Sequence, residues 1–244
     1  MYIKTCLLFI SLCISTSVWA GSFGKVLFVG DSHSYGNFGT EVDKYLRANS
    51  SSVTTYASCG SSPSTWLNKN GKYNATNCGH LSKDPQGREK RQNSHGTEYF
   101  PDEIQNIHPD LTVIAMGTNI LASPATIKRE VESIKKMLAE VHKVQSKCIW
   151  VGPPSITKRP FVDNLDLGIK EIKSVIEKNG CVFVDSKPLT TYPAKGDGIH
   201  YGAQSAAKWG KDVVNVMKQK QDLLVGGSSA APKASTAEKG EAVR

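Results

Sequence analysis

The chain has 244 residues, of which 39% are apolar and 21% charged, with 30 Lys and Arg against 22 Asp and Glu and a formal net charge of +8. This composition is typical of a globular protein and excludes wholesale disorder. No heptad array and no repeat of about 20–50 residues is present, which excludes coiled-coil and solenoid proteins. The basic residues are dispersed and no recognition motif occurs, so we predict no nucleic-acid partner.

The N-terminal segment 1–20 has the order of a secretory signal peptide. Lys4 provides a positive start, an apolar run follows, and Ala20 is a small residue of the kind preferred at cleavage sites. We therefore predict export to the periplasm or the medium, a mature domain over 21–225, and no membrane segment after cleavage. The residues 226–244 are small and polar and predict a disordered tail.

Export changes the interpretation of the cysteines. Four remain after cleavage, and an even number in an oxidising compartment predicts two disulfides. We favour pairing Cys59 with Cys78, which closes a long loop, and Cys148 with Cys181, which start two predicted strands. Sequence alone leaves all three pairings open. A zinc site is the alternative, although it lacks paired C-x-x-C spacing; its ligands would be Cys59, Cys78, His80 and His95.

The mature sequence alternates strands with amphipathic helices. A short apolar run at 25–29 is typical of a parallel strand that is buried on both faces. The further predicted strands are 53–58, 111–116, 148–151 and 182–184. The predicted helices are 39–49 and the apolar stripes Ile127–Val141, Leu165–Ile176 and Ala206–Val216. This alternation predicts one α/β domain with a doubly wound, flavodoxin-like sheet of five parallel strands flanked by helices.

A long polar segment at 61–100 interrupts the alternation. It carries six Lys and Arg residues against three Asp and Glu residues. Insertions of this length are commonly lids or substrate-binding loops, and a disulfide-pinned surface loop is the alternative.

Three polar clusters directly follow predicted strands. They are Gly30-Asp31-Ser32-His33-Ser34, Gly117-Thr118-Asn119 and Asp197-Gly198-Ile199-His200. Because sites in open α/β sheets form beyond the carboxyl ends of the strands, these clusters are expected to meet at one rim. Each alone also fits an ordinary helix cap or turn.

These blocks resemble those of the SGNH (GDSL-type) hydrolase family. The first block is similar to the family's nucleophile block, with Ser32 as nucleophile, and the last matches its D-x-x-H block. Gly60 falls where the second block's glycine is expected, and Asn119 matches the asparagine of the third. The resemblance covers about 25–218 and implies a serine hydrolase of carboxylic esters.

The chemistry of these residue types agrees with that resemblance. A serine hydroxyl needs a base, which His200 would provide, and Asp197 would orient the imidazole. The N–H groups of Ser32 and Gly60 and the amide of Asn119 are candidate oxyanion donors. The mechanism requires no metal and no organic cofactor.

The predicted substrate is a small acyl ester, most simply acetyl, on a cell-envelope polysaccharide. His33 after the nucleophile resembles members that act on acylated cell-surface sugars, and it is a possible substrate contact. The alternatives are an O-acetyltransferase with the same triad, a lysophospholipase or thioesterase, and an inactive glycan-binding module. The acyl group, its acceptor and the oligomeric state are not encoded in any motif of the chain.

Overall fold

A computed structural model describes residues 23–69, 79–93 and 95–225. The predicted signal peptide, the predicted disordered tail and Cys78 lie outside these ranges. In the part of the chain that is described, no helix combines the length and the apolar character that a membrane span requires.

A single mostly parallel sheet organises the domain. Its strands are β1 (Lys25–Gly30), β2 (Ser52–Ser58), β3 (His80–Lys83), β4 (Glu89–Gln92), β5 (Leu111–Ala115), β6 (Lys147–Val151) and β7 (Val182–Val184). They lie in the order β4-β3-β2-β1-β5-β6-β7. The strands β2-β1-β5-β6-β7 are all parallel to one another. The chain adds β2 on one side of β1 and then β5, β6 and β7 on the other side, which is the predicted doubly wound order.

The predicted number of five strands is wrong, because the insert adds two more. β3 pairs antiparallel with β2, and β4 pairs antiparallel with β3 at the edge of the sheet. β4 has the sequence Glu-Lys-Arg-Gln and is mostly exposed. Strands as short as β3 and β4, without an apolar alternation, leave no periodic pattern in the sequence. The insert is therefore in part an extension of the sheet.

The helices cover both faces of the sheet. They are α1 (Ser32–Tyr35), α2 (Asn37–Ala48), α3 (Pro63–Trp66), α4 (Phe100–Ile107), α5 (Pro124–Lys143), α6 (Leu165–Lys178), α7 (Ala203–Gln219) and α8 (Gln221–Leu224); two 3₁₀ turns span Thr118–Ile120 and Val162–Asn164. α4, α5 and α6 contribute to one apolar core, and α2 and α7 contribute to the other. The predicted apolar stripes face these cores, with Ile134, Ile172 and Val213 completely buried.

One disulfide joins the amino-terminal ends of β6 and β7. Cys148 and Cys181 are bonded, with their Cα atoms 4.9 Å apart, so this predicted pair is confirmed. Cys59 is also disulfide-bonded. The alternative zinc site that included Cys59 is therefore wrong, because a disulfide sulfur is not a thiolate ligand.

Candidate active site

The first polar cluster forms the start of a short helix at the end of β1. Asp31 is the N-cap of α1, and its side chain accepts a 3.0 Å hydrogen bond from the N–H of His33. Ser32 is the first helical residue and is partly exposed. Its backbone N–H therefore lies in the first turn, where N–H groups have no acceptor within the helix.

The last polar cluster approaches this helix from the other end of the chain. Nε2 of His200 lies 3.0 Å from Oγ of Ser32, although 168 positions separate the two residues. Nδ1 of His200 lies 2.6 Å from Oδ2 of Asp197. The structure thus brings the three predicted triad residues into one continuous hydrogen-bonded chain.

The carboxylate of Asp197 is held in its ionised form. Partial desolvation acts to raise its pKa, but the hydrogen bond from the His200 side chain and those from two backbone N–H groups outweigh this and leave the pKa well below its usual range. The two N–H groups belong to Ile199 and His200, at 2.8 and 2.7 Å from Oδ1. A carboxylate that remains ionised can hold the Nδ1 proton of His200 and leave Nε2 free to accept a proton.

A tyrosine that the sequence analysis did not identify supports the turn between Asp197 and His200. The Tyr192 hydroxyl accepts a 2.8 Å hydrogen bond from the N–H of Gly198 and lies 3.1 Å from the carbonyl oxygen of His200 and 3.3 Å from Oδ1 of Asp197. In the sequence, Tyr192 stands out only as an aromatic residue five positions before Asp197, which does not indicate a role in the site.

Gly198 itself has a steric requirement. Its φ of +83° lies in the left-handed region, and a Cβ atom would lie 2.8 Å from the backbone nitrogen of Lys158. Its carbonyl oxygen accepts hydrogen bonds of 2.9 and 3.1 Å from the N–H groups of Thr157 and Lys158. The turn is therefore fixed to the loop after β6 by backbone contacts that only glycine permits.

The candidate oxyanion donors lie on loops that are joined to one another. Asn119 donates a 2.8 Å hydrogen bond from Nδ2 to the carbonyl oxygen of Ser61, which connects the loop after β5 with the loop after β2. Gly60 precedes Ser61 with a φ of +73°. Ser61 is buried, and its hydroxyl accepts a hydrogen bond of 3.1 Å from Nε1 of Trp66. Ser61 is a second positioning residue that sequence reasoning missed.

Beneath the triad lies a buried polar pair, Asp31 and His33. Burial raises the pKa of Asp31 to about 7, although the N–H groups of His33 and Gly117 act against this. Burial and the charge of His200 lower the pKa of His33 to about 3, so its imidazole is neutral. Nε2 of His33 is buried without a hydrogen-bond partner among the described residues. His33 is 8% exposed, so only a small part of it could touch a substrate. Its contact with substrate stays a prediction.

Packing between α2 and α7 fixes the two halves of the triad relative to each other. The rings of Phe38 and Trp209 stack with centroids 3.8 Å apart. The edge of the His33 ring meets Trp209 at 5.2 Å, and its centroid lies 5.5 Å from that of His200. The helix that follows His200 therefore packs on the helix that follows Ser32.

Comparison of the fold with solved structures gives several matches over most of the chain. The domain is similar to a carbohydrate acetylesterase family member from Sinorhizobium meliloti, with 16% identity, a TM-score of 0.57, and coverage of 82% of this chain and 99% of that one. An acetylxylan esterase from Geobacillus stearothermophilus, solved as a catalytic mutant, matches with 15% identity, a TM-score of 0.56, and coverage of 80% and 94%. The inhibitor-bound aryl esterase of M. smegmatis matches with 14% identity, a TM-score of 0.57, and coverage of 80% and 99%.

The chain has the SGNH-hydrolase fold. No protein-family profile matches the sequence, and no curated protein matches it. In this fold the Ser32 block follows β1, the Asn119 block follows β5, and the D-x-x-H block follows β7, all at the carboxyl rim of the parallel strands. The catalytic roles of these residues stay predictions that the geometry now makes specific.

Proposed function

We propose that the protein is a serine esterase that removes a small acyl group, acetyl, from a carbohydrate through an acyl-enzyme. The observation that supports this proposal best is the hydrogen-bonded chain from Ser32 through His200 to Asp197, with separations of 3.0 and 2.6 Å. Both distances lie within the reach that proton transfer and imidazole orientation require.

In the first half of the reaction, His200 accepts the proton of the Ser32 hydroxyl as Oγ attacks the ester carbonyl. The bond between Oγ and the acyl carbon forms while the carbonyl oxygen becomes an oxyanion. Within the described ranges the N–H groups of Ser32 and Gly60 have no backbone acceptor, so both are available to this oxyanion. His200 then gives its proton to the departing sugar oxygen, which leaves as an alcohol.

In the second half, water attacks the acyl carbon and His200 takes one of its protons. The bond to Oγ of Ser32 breaks, the carboxylic acid leaves, and the proton returns to Ser32. The ionised carboxylate of Asp197 stabilises the imidazolium in both halves without accepting its proton. Each residue thus ends the cycle in its starting state.

The surroundings of Ser32 favour a short acyl group on a large, polar acceptor. The side chains of His200 and Asp197 are 50% and 48% exposed, so a polymer can approach the triad from solvent. The cavity lined by Asp31 and His33 measures about 10 Å³, room for about one water molecule, and offers no space to a fatty acyl chain. Two of the solved structures reported above carry names that describe acetylated carbohydrate substrates.

The net charge and the predicted signal peptide support a cell-envelope substrate. Without Lys4 of the predicted signal peptide the net charge is 8 − 1 = +7, which attracts anionic polymers, and the insert contributes to that excess. Export would place the esterase where envelope polysaccharides occur.

The test compares hydrolysis of nitrophenyl esters of two-carbon and eight-carbon acids by the wild type, Ser32→Ala and the control Ser205→Ala. Ser205 is an exposed serine on α7 and is expected to be dispensable. Acetate turnover that is lost only in Ser32→Ala supports the proposal. Preference for the longer ester would favour a lipid-directed enzyme instead. An acyl-enzyme that forms on Ser32 but is released only to added sugar would identify the acetyltransferase.

A further inference from the structure

A second cluster of functional side chains lies in the insert, away from the triad. One ring nitrogen each of His80 and His95 and one carboxylate oxygen of Glu98 lie within 4.8 Å of one another. His80 begins β3, where it pairs with the last residue of β2, while His95 and Glu98 lie on the segment between β4 and α4. We propose that these three residues form a zinc-binding site that fastens the insert to the end of β2.

The described contacts fix the tautomer of His95 and direct one ring nitrogen of His80 at the carboxylate of Glu98. Nδ1 of His95 donates a hydrogen bond to the carbonyl oxygen of Gly96, which places its proton on Nδ1 and leaves Nε2 free. This pattern, a backbone carbonyl that fixes the tautomer of a ligand histidine, is the usual support for a metal-bound imidazole. Nε2 of His80 donates a 2.9 Å hydrogen bond to Oε2 of Glu98, and a metal ion bound between the two groups would displace that proton.

Burial makes the present environment of His80 costly for a metal-free protein. The His80 side chain is 1% exposed, and its Nδ1 has no hydrogen-bond partner among the described residues. Its one polar contact in that part of the chain is with Glu98. A metal bond at Nε2 would compensate for the buried imidazole far better than a single hydrogen bond does.

The carboxylate of Glu98 has no Lys or Arg partner among the described residues. In the described ranges the only ion-pair partner of Glu98 is His80, and no Lys or Arg lies within 4.0 Å of its carboxylate. Glu98 also acts on Glu103 and helps to raise the pKa of that carboxyl, together with burial, which is the larger cause. A divalent cation would balance these two neighbouring carboxylates.

Two imidazoles and one carboxylate are a ligand set that suits Zn²⁺, with a water molecule in the fourth position. Zinc bonds of about 2.0–2.2 Å require the ligand atoms to approach to about 3.3 Å in a tetrahedral site. His80 and Glu98, at 2.9 Å, must separate slightly, and His95, which is partly exposed, must come within this distance of both. The same segment is anchored to α3 by a 2.8 Å hydrogen bond from Thr97 to the carbonyl of Thr65. Bound zinc would therefore rigidify the wall beside Gly60.

The experiment measures zinc binding by calorimetry in chelator-treated protein that carries His200→Ala, so that the triad imidazole cannot bind the metal. His95→Gln and Glu98→Gln are introduced in that background, with His142→Ala, an exposed histidine on α5, as the matched control. Because the background lacks the proposed base, the result is independent of the esterase proposal. Elemental analysis and thermal unfolding with and without zinc provide the second readouts.

We expect one zinc per chain and a higher Tm with zinc, because a ligand that binds only the native state stabilises it. His95→Gln and Glu98→Gln should weaken binding by more than the roughly 10–100-fold that loss of an outer partner causes. His142→Ala should bind like its parent. Absence of stoichiometric zinc, or equal affinity in all four proteins, would overturn the proposal.

Discussion

Tyr192 stabilises the turn of the candidate base through Gly198. Its hydroxyl accepts a 2.8 Å hydrogen bond from the N–H of Gly198 and is also in contact with the carbonyl oxygen of His200. Among the described residues the hydrogen-bond partners of this hydroxyl are Asp197 and the backbone of the turn, and Ser32 is not one of them. Tyr192 is therefore a positioning residue for the imidazole.

Tyr192→Phe should lower kcat for the acetate ester about five- to tenfold and leave KM nearly unchanged. Loss of one hydrogen bond costs about 1 kcal/mol, and an activation free energy raised by about this amount lowers the rate roughly fivefold. The control is Tyr45→Phe, because the Tyr45 hydroxyl on α2 has no hydrogen-bond partner among the described residues. Equal kcat values for both variants would remove Tyr192 from the positioning role.

Asp197→Asn should reduce kcat roughly 10⁴-fold while the protein stays folded. An amide can donate to Nδ1 and so favours the wrong imidazole tautomer, and it cannot stabilise the imidazolium. Because the pKa of Asp197 lies well below its usual range, the wild-type carboxylate stays ionised in mildly acidic buffer. Steady-state kinetics check this prediction, with Asp212→Asn as the control. Asp212 lies on α7 and pairs only with Lys208 in the described chain. A loss smaller than tenfold would contradict it.

Asn119→Ala should lower kcat about 10²–10³-fold if its amide binds the oxyanion. The matched control is Asn164→Ala. The amide of Asn164, in the 3₁₀ turn Val162–Asn164, also donates to backbone carbonyls, those of Leu121 and Pro160. Both variants lose structural hydrogen bonds, so both are expected to unfold at lower denaturant concentration. A rate loss shared equally by both would mean that Asn119 acts only through stability.

Asp31→Asn should make stability less dependent on pH. The pKa of Asp31 is about 7 in the folded protein against 3.8 for the ordinary carboxyl, so the native state binds its proton more tightly than the unfolded chain does. The stability that this group contributes is present at pH 4 and is lost as pH rises towards 7, by an amount on the order of 4 kcal/mol.

Urea unfolding at several pH values checks this prediction. The free energy of unfolding of Asp31→Asn, relative to wild type, should increase as pH rises from about 4 to about 7. A constant difference across that range would show that Asp31 does not titrate there.

Replacing Cys148 and Cys181 together by serine should lower the free energy of unfolding by about 3–4 kcal/mol. The bond spans 33 positions, and closing a loop of that length removes chain entropy from the unfolded state. Because the two cysteines lie at the amino-terminal ends of β6 and β7, opposite the rim that carries Ser32, kcat should change little at a temperature where the variant is folded. A large loss of kcat with unchanged stability would contradict this.

The sequence predicted the parallel part of the sheet closely, for a physical reason. Strands buried on both faces consist almost wholly of apolar residues, and the predicted strand 182–184 coincides with β7. The predicted helix 39–49 begins two residues late, since α2 starts at Asn37. Its N-cap, Gly36, has no side chain to form a capping hydrogen bond, so the usual start signal is missing.

The residues that hold the site in place, Tyr192 and Ser61, could not be predicted in the same way. Ser32, Asn119 and His200 each follow a strand or precede a helix, and their placement follows from the topology of the sheet. Tyr192 and Ser61 lie on irregular loops, where the direction of a side chain depends on contacts formed only in the folded chain. The insert likewise concealed α3, β3 and β4, whose four-residue elements are too short for a periodic pattern.

The separation of 168 positions between Ser32 and His200 has a consequence for synthesis of the chain. A ribosome-bound chain that has completed β6 contains Ser32 but not yet His200, and the docking of Trp209 on Phe38 has not yet occurred. We therefore expect the growing chain to be inert towards esters until α7 has emerged and packed against α2. This late assembly would keep the proposed esterase inactive until the whole domain has been synthesised.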